Sequence, residues 1–280
     1  MIKKNKIAIL AGMPRAATTF LYHNFNLHPE IFVPYRRKTN YFSLHNDSSE
    51  DWFLSHFKDM PKGSFAVDTE TLAFVNTNIK SPMLIKQFNK NAKIILCVRD
   101  PAEWVVSFYK QISTFENNLP SFEKFLSGHY TLVEDGRNIV FNMDAANINN
   151  RIKEYKNLFP KTILILKFKD LTKSPVESLK KIEQFLGVTS FYDVSNVIST
   201  KINSSNRVHN KYLNKFLRNE LIIKLMKNVL PKKFIVFIRL KFDYISSNYR
   251  GLSKINSKKD EYSNMIKLAK KYYQSKKTKR

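Results

Sequence analysis

The sequence of 280 residues is long enough for one large α/β domain, or two small ones, with a sizeable core. Its 43% of hydrophobic residues excludes a disordered chain, and its single cysteine, Cys97, excludes internal disulfides and argues against a metal site built from cysteines. The net charge of +25 attracts polyanions such as nucleic acid, anionic glycan, acidic lipid or a phosphorylated cofactor. A lysine-rich composition whose charge is merely solvated is the alternative interpretation.

The predicted elements alternate between strands and helices. In chain order, the pattern predicts a strand over Ile7–Ala11, a helix over Thr18–Leu27, a strand over Ser64–Val67, a helix over Asn78–Asn89, a strand over Lys93–Val98, a helix from Pro101 to about Thr114, helices over Ser121–Leu126 and Asp144–Phe159, a strand over Thr162–Phe168 and a helix from Ser174 to Gly187. This alternation predicts an α/β fold built from parallel βαβ units.

The last part of the chain is basic and is predicted to be helical from Asn210 onward. No internal repeat and no interdomain linker is visible, so we expect one domain over residues 1–280. It comprises a core of about residues 1–210 and a basic helical extension of about residues 211–280. The extension is expected to be a solvated helix face, with contact to an anionic glycan or lipid surface as the alternative.

No apolar stretch approaches the roughly 20 residues that a membrane span needs. The first apolar run, which begins at Ile7, is also too short and too soon interrupted for a signal peptide. We therefore expect a cytoplasmic protein, with peripheral membrane contact through the basic extension as the alternative.

The stretch from Gly12 to Thr19, GMPRAATT, joins the first strand to the first helix. Such a turn directs backbone N–H groups and the positive end of the helix dipole at one point, where anions bind. The loop of nucleotide triphosphatases, G-x-x-x-x-G-K-[ST], is matched here without its lysine, and Arg15 is the only cation. The pattern indicates phosphate binding without ATP hydrolysis, and an ordinary β–α turn is the alternative.

Four segments together resemble the sulfotransferases that use 3′-phosphoadenosine 5′-phosphosulfate (PAPS). GMPRAATTFLYHNFNLHPEIFVPYRRKTNYF resembles the segment that binds the 5′-phosphosulfate, and IILCVRDPAEWVVSFY resembles the 3′-phosphate segment. LILKFKDLTKSPVESLKKIEQFLGV and INSSNRVHNKYL are similar to two later segments of that family. They span Ile7 to about Leu213 in the family's order, and the resemblance implies a P-loop-like central parallel β-sheet flanked by helices.

The resemblance also implies the residues that bind the donor. The 5′-phosphosulfate would be held by Pro14, Arg15, Ala16, Ala17, Thr18 and Thr19. Arg15 would stabilise the charge that develops as the sulfuryl group leaves. Arg99 and Ser107 would hold the 3′-phosphate, and Arg207 would clamp the nucleotide from the far side.

The reaction that the resemblance implies is transfer of a sulfuryl group from PAPS, without a metal, to a hydroxyl or amine of a carbohydrate or glycan. Such an acceptor needs a general base. Glycan-type members commonly use a glutamate at the position that Lys38 takes in RRKTNYF, and a lysine there would stabilise an anion instead. Asp68 is therefore the first candidate for the base, ahead of Glu70, His45 and His23.

Three other functions stay open at this stage. Lys38 favours a protein that binds PAPS or its product with weak or no catalysis. The net charge favours a polyanion-binding protein, although no helix-turn-helix, zinc or RNA-binding signature accompanies it, so a nucleic-acid partner is not expected. A kinase-like enzyme is opposed by the missing loop lysine. Trp104 is a further departure, since the family often has an arginine there.

Overall fold

A parallel five-stranded sheet forms the centre of the protein. The computed structural model describes residues 3–34, 38–113, 116, 118–134, 136–143, 145–198 and 255–277. In chain order the strands are β1 (Ile7–Gly12), β2 (Ile31–Phe32), β3 (Phe65–Thr69), β4 (Lys93–Val98), β5 (His129–Glu134), β6 (Arg137–Asn142) and β7 (Ile163–Lys167). The sheet has the order β2-β3-β1-β4-β7, whereas β5 and β6 form a separate antiparallel hairpin.

Helices flank this sheet and give the α/β, P-loop-like architecture that the sequence predicts. They are α1 (Thr18–Phe25), α2 (Glu50–Ser55), α3 (Leu72–Val75), α4 (Ser81–Phe88), α5 (Pro101–Ile112), α6 (Phe122–Ser127), α7 (Ala145–Leu158), α8 (Phe168–Lys173), α9 (Pro175–Leu186) and α10 (Ile255–Lys277).

The central position of β1 follows from its residues. All six of its residues are buried, as expected of a strand covered on both faces. It lies between β3 and β4, with Ile9 paired with Asp68 on one side and with Ile94 on the other. The carboxyl ends of the three strands therefore meet at one edge, where open α/β sheets bind ligands.

Local sequence signals set several of the observed helix ends. The Asp100 carboxylate caps α5 by accepting from the N–H of Glu103, and Pro101 occupies the first turn. Ser121 caps α6 in the same way, and Gly187 ends α9 at a φ of +75°. The strand predicted over Ser64–Val67 is wrong at its end, because β3 continues to Thr69 and so takes Asp68 into the sheet.

Helix α10 packs against α5 through an apolar stripe. The stripe consists of Met265, Ala269 and Tyr273, all buried, and the Tyr273 hydroxyl donates to the carbonyl of Met143 over 2.8 Å. The predicted helix is confirmed for this stretch, while residues 201–254 lie outside the described part of the chain. Within the described ranges, no helix is long and apolar enough to cross a membrane.

Candidate active site

The loop between β1 and α1 has an unusual backbone. Arg15 and Ala17 both lie in the left-handed region, with φ of +65° and +68°, although neither is glycine. Each such residue costs roughly 1 kcal/mol or more, and strain of this kind is concentrated at ligand-binding sites. Alternation between left- and right-handed residues turns successive N–H groups toward one point and makes a concave site for an anion. The backbone geometry fits an anionic group such as a phosphosulfate.

The start of α1 adds donors to this loop. The first intrahelical bond runs from the N–H of Leu21 to the carbonyl of Ala17, so the N–H groups before it are not used by the helix. Thr18 and Thr19 occupy the first turn, with 6% and 8% of their surface exposed. Ala16 is fully buried and donates its N–H to the carbonyl of Met13 over 3.2 Å. The N–H groups of this first turn and the positive end of the helix dipole therefore lie at the same end of α1.

Arg15 links the loop to α5. Its Nε donates to the Ser107 hydroxyl over 3.1 Å, and its carbonyl accepts from Nη1 of Arg99 over 3.2 Å. The structure therefore brings together residues 84 and 92 positions apart in the chain. Two arginines and a hydroxyl thus meet at the start of α1 and form a positively charged, donor-rich surface.

Arg99 is held in place from three sides. Besides its contact with the loop, its Nε lies 3.5 Å from a carboxylate oxygen of Glu103, one turn along α5. Its guanidinium lies 4.3 Å from the ring centre of Phe168 at the start of α8. Only 13% of the Arg99 side chain is exposed, so the position of its guanidinium is fixed. Phe168 thus helps to orient the Arg99 guanidinium.

Trp104 and Phe74 support the loop from behind. The indole N–H of Trp104 donates to the carbonyl of Pro14 over 2.8 Å, and its ring stacks on Phe108. A Cβ added to Gly12 would come within 2.5 Å of the Cβ of Phe74, so only glycine fits there. Sequence analysis identified Trp104 only as a departure from a family pattern, and it missed Phe74.

A cavity of about 670 Å³ lies next to these two aromatic residues. Trp104 and Phe74 line it, together with Ile148 of α7. Lys80 and Arg151 contribute positive charge, and Arg151 is paired with Glu154 over 2.9 Å. The size is that of a small-molecule pocket, and an apolar floor with a few charged groups is typical of such sites.

The candidate base residues lie at the end of β3. Asp68 and Glu70 are fully buried, and the Thr39 hydroxyl lies 2.6 Å from a carboxylate oxygen of Asp68 and 2.9 Å from one of Glu70. Burial raises the pKa of both carboxyls, and for Asp68 the nearby Glu70 charge raises it further. Lys38 is half-buried and directly precedes Thr39. Neither carboxyl has a surface that reaches solvent in this structure.

The remaining predicted residues lie elsewhere. His23 is buried in α1, and Nδ1 of His45 lies 3.0 Å from Nη1 of Arg137 in the hairpin. Arg207 falls outside the described residues, and its predicted role stays a prediction. In the ranges that the structure covers, no group of three or more His, Cys, Asp or Glu side chains is placed to hold a metal ion.

Comparison with known proteins agrees with this geometry. A membrane-associated sulfotransferase, kil1, of Dictyostelium discoideum is 29% identical over 103 residues, which cover 36% of this chain and 22% of that protein. The human heparan sulfate glucosamine 3-O-sulfotransferase 3B1 is 22% identical over 184 residues, which cover 65% of this chain and 46% of the relative. The match thus spans less than half the length of each of these curated relatives.

The fold is also similar to a solved structure. The crystal structure of a sulfotransferase from Alicyclobacillus acidocaldarius superposes with a TM-score of 0.54 at 14% identity, covering 71% of this chain and 87% of that one. The family of sulfotransferase domains matches residues 6–275, which is nearly the whole sequence. The chain therefore belongs to the sulfotransferase domain family.

Proposed function

We propose that this protein transfers a sulfuryl group from PAPS to a hydroxyl or amine of a carbohydrate or glycan acceptor. The single observation that carries the proposal is the contact of Arg15 with Arg99 and Ser107 at a loop in which Arg15 and Ala17 have a left-handed backbone. The loop has no lysine for a γ-phosphate, which favours a phosphosulfate over ATP. Membership in the sulfotransferase domain family supports the same reaction.

Each residue of the donor side has a distinct role in this proposal. The backbone of the loop from Arg15 to Thr19, apart from the Ala16 N–H that donates to Met13, holds the 5′-phosphosulfate together with the Thr18 and Thr19 hydroxyls, and Arg99 and Ser107 hold the 3′-phosphate. When bound, the donor supplies the sulfuryl group. Arg15 stabilises the negative charge that develops on the leaving side of that group. The hydrogen bond from Arg15 to Ser107 connects the residue that stabilises this charge with a residue that holds the 3′-phosphate.

The acceptor would occupy the cavity beside the loop. Trp104 and Phe74 line the cavity and also contact the loop, so an acceptor there would lie close to the donor. An aromatic floor suits the apolar face of a sugar ring, and Lys80 and Arg151 suit an acidic substituent on it. A glycan acceptor is also supported by the printed name of the human relative, which is a heparan sulfate glucosamine 3-O-sulfotransferase.

In this proposal Asp68 is the general base that takes the proton from the acceptor. Lys38 stabilises negative charge nearby. Asp68 lies at the carboxyl end of β3, at the same sheet edge as the loop that follows β1. A raised pKa brings a carboxyl closer to the value of an effective base at neutral pH. Asp68→Asn should therefore lower kcat while the affinity for 3′-phosphoadenosine 5′-phosphate (PAP), the product of the donor, stays unchanged.

A transfer assay tests the proposal. The protein is incubated with sulfur-labelled PAPS and a panel of glycans that differ in uronic acid and sulfate content, and label on the glycan is measured. We expect transfer to at least one acidic glycan, and its loss in Arg15→Gln. Lack of transfer to every acceptor, with no PAP binding, would contradict the proposal.

A second candidate function is PAP or PAPS binding without turnover. The observation that favours it is the complete burial of Asp68 and Glu70, combined with Lys38 at the place of the expected glutamate. In that case PAP binds and no glycan becomes labelled. Lys38→Glu should then create transfer activity, which would distinguish the two functions.

The location of the protein stays a prediction. A cytoplasmic protein with peripheral membrane contact fits the exposed lysines of α10, such as Lys267 and Lys270. The membrane association in the name of the Dictyostelium relative supports the peripheral alternative. Co-sedimentation with anionic vesicles would measure it.

A further inference from the structure

Two buried carboxyl groups face one hydroxyl at the end of β3. Asp68 and Glu70 have no exposed surface, and within the described residues neither has an ion-pair partner. The Thr39 hydroxyl oxygen lies 2.6 Å from Oδ2 of Asp68 and 2.9 Å from Oε1 of Glu70. Both distances are those of O–H···O hydrogen bonds. Two carboxyl groups therefore depend on the same hydroxyl.

The hydrogen count at Thr39 determines the charge of the pair. A threonine hydroxyl has one proton to donate and two lone pairs that accept. The N–H of Tyr41 donates to one lone pair over 3.2 Å, which leaves one proton and one lone pair for two carboxyl oxygens. If both carboxyls were ionised, each could only accept, and one of the two contacts would hold no hydrogen. Both contacts are hydrogen bonds only if one carboxyl is protonated and donates to Thr39.

Charge repulsion and lost hydration also favour one protonated carboxyl in this pair. Two negative charges this close in a dry interior repel each other, and each also loses its hydration. Burial raises the pKa of Asp68 and of Glu70, so this pair retains a proton more easily than two exposed carboxyls would. Tyr155 of α7 also faces Glu70, and its own pKa is raised by burial, so it stays neutral and supplies no positive charge. Lys38 directly precedes Thr39, the residue that bridges the pair, in the sequence.

The same pair fixes the segment that follows Lys38. Glu70 accepts from the hydroxyl of Ser43 over 2.8 Å. Asp68 accepts from the N–H of Thr39. The N–H of Glu70 in turn donates to the carbonyl of Leu10 in β1 over 2.9 Å. Residues 39–43 are thereby attached to the end of β1, from which the phosphate-binding loop emerges.

We propose that Asp68 and Glu70 share one proton through the Thr39 hydroxyl at neutral pH, and that this pair positions Lys38 beside the phosphate-binding loop. Asp68, Thr39 and Glu70 are then a unit with a single negative charge. The second half of the proposal, the positioning of Lys38 for transfer, rests on the proposed function, whereas the shared proton does not.

Infrared spectroscopy tests the shared proton directly. At pH 7 the wild-type protein should show the C=O band of a protonated carboxyl, and Glu70→Gln should lose it, because the remaining Asp68 can then ionise. The matched control is Glu183→Gln, since Glu183 is also buried but accepts from the N–H groups of Phe191 and Tyr192. Absence of the band in wild type, or its persistence in Glu70→Gln, would overturn the proposal.

The pH dependence of stability gives a second readout. A carboxyl whose pKa is raised on folding stabilises the native state at low pH, and this contribution is lost as pH rises through the folded pKa. The contribution of this pair to the melting temperature should thus fall as pH rises above about 4, the ordinary carboxyl value. Glu70→Gln should remove this slope, because its amide donates to Thr39 at every pH. An unchanged slope in Glu70→Gln would contradict the shared proton.

Transfer kinetics test the positioning half. Thr39→Val removes the shared hydroxyl, and we expect kcat to fall about ten- to a hundredfold, the effect of a small misplacement, while PAP affinity stays unchanged. Thr39→Ser keeps the hydroxyl and should restore kcat. A Thr39→Val enzyme with wild-type kcat would refute the positioning role. If wild type transfers no sulfuryl group at all, the proposed function fails, while the infrared result still decides the shared proton.

Discussion

Replacing Trp104 by phenylalanine should loosen the loop between β1 and α1. The indole N–H is the donor to the Pro14 carbonyl, and only 1% of the Trp104 side chain is exposed, so water cannot replace it. Phenylalanine retains the stacking on Phe108, for which the ring centres are 5.3 Å apart. The substitution therefore removes the link to the loop and a small part of the buried ring.

The size of the effect follows from these two losses. A buried carbonyl left without its donor costs about 1–3 kcal/mol, and the smaller ring adds about 1 kcal/mol. The sum of about 2–4 kcal/mol predicts a fall in melting temperature of at least about 4 °C for a chain of this size. Ordering a loosened loop on binding costs about 1 kcal/mol more, so PAP affinity should fall about two- to tenfold.

Calorimetric melting and PAP titration measure both effects. Trp52→Phe is the matched control, because Trp52 is the only other tryptophan, is half-buried, and its indole N–H has no hydrogen bond to a described residue. It also leaves Trp104 as the sole tryptophan, whose fluorescence should report PAP binding through its contact with the loop. Equal changes in stability and affinity for Trp104→Phe and Trp52→Phe would refute the reasoning.

Three further predictions concern single residues. Arg99→Gln should weaken PAP binding about tenfold or more in a titration, because a charge-assisted hydrogen bond is lost, and unchanged affinity would contradict this. Lys80→Glu should raise the KM of an acidic glycan acceptor without changing PAP affinity, whereas Lys62→Glu, at the opposite sheet edge, should change neither. Burial raises the pKa of the Cys97 thiol, so iodoacetamide should label it only after unfolding, and rapid labelling of the native protein would disagree.

The sheet strands were largely predictable because their signals are local. Lys93–Val98 has the predicted bounds, since its apolar run stops at a charged pair and a proline that begins α5. The hairpin of β5 and β6 was missed because β5 is mostly exposed and its apolar alternation is short, with Tyr130 and Leu132 as the half-buried residues. The two-residue β2 was missed for a similar reason, since it is defined by its pairing with β3.

The candidate site was predictable only where a motif names its residues. The motifs and the family resemblance identified Arg15, Arg99 and Ser107, and the structure brings the three into contact. The Trp104–Pro14 bond was not predictable, because it joins residues 90 positions apart and exists only since β1 and β4 are neighbours in the sheet. The Thr39 bridge was missed likewise, since no motif relates a hydroxyl to carboxyls about 30 residues later.

The central claim is that this loop holds a phosphosulfate donor, and a calorimetric titration with PAP and with ATP tests it most directly. Contacts of Arg99 and Ser107 with a 3′-phosphate, which ATP lacks, should make PAP bind at least about tenfold more tightly than ATP, without added metal. Arg15→Gln and Arg99→Gln should each weaken PAP binding and bring it closer to that of ATP. Equal affinity for the two nucleotides, or no binding of PAP, would contradict the account.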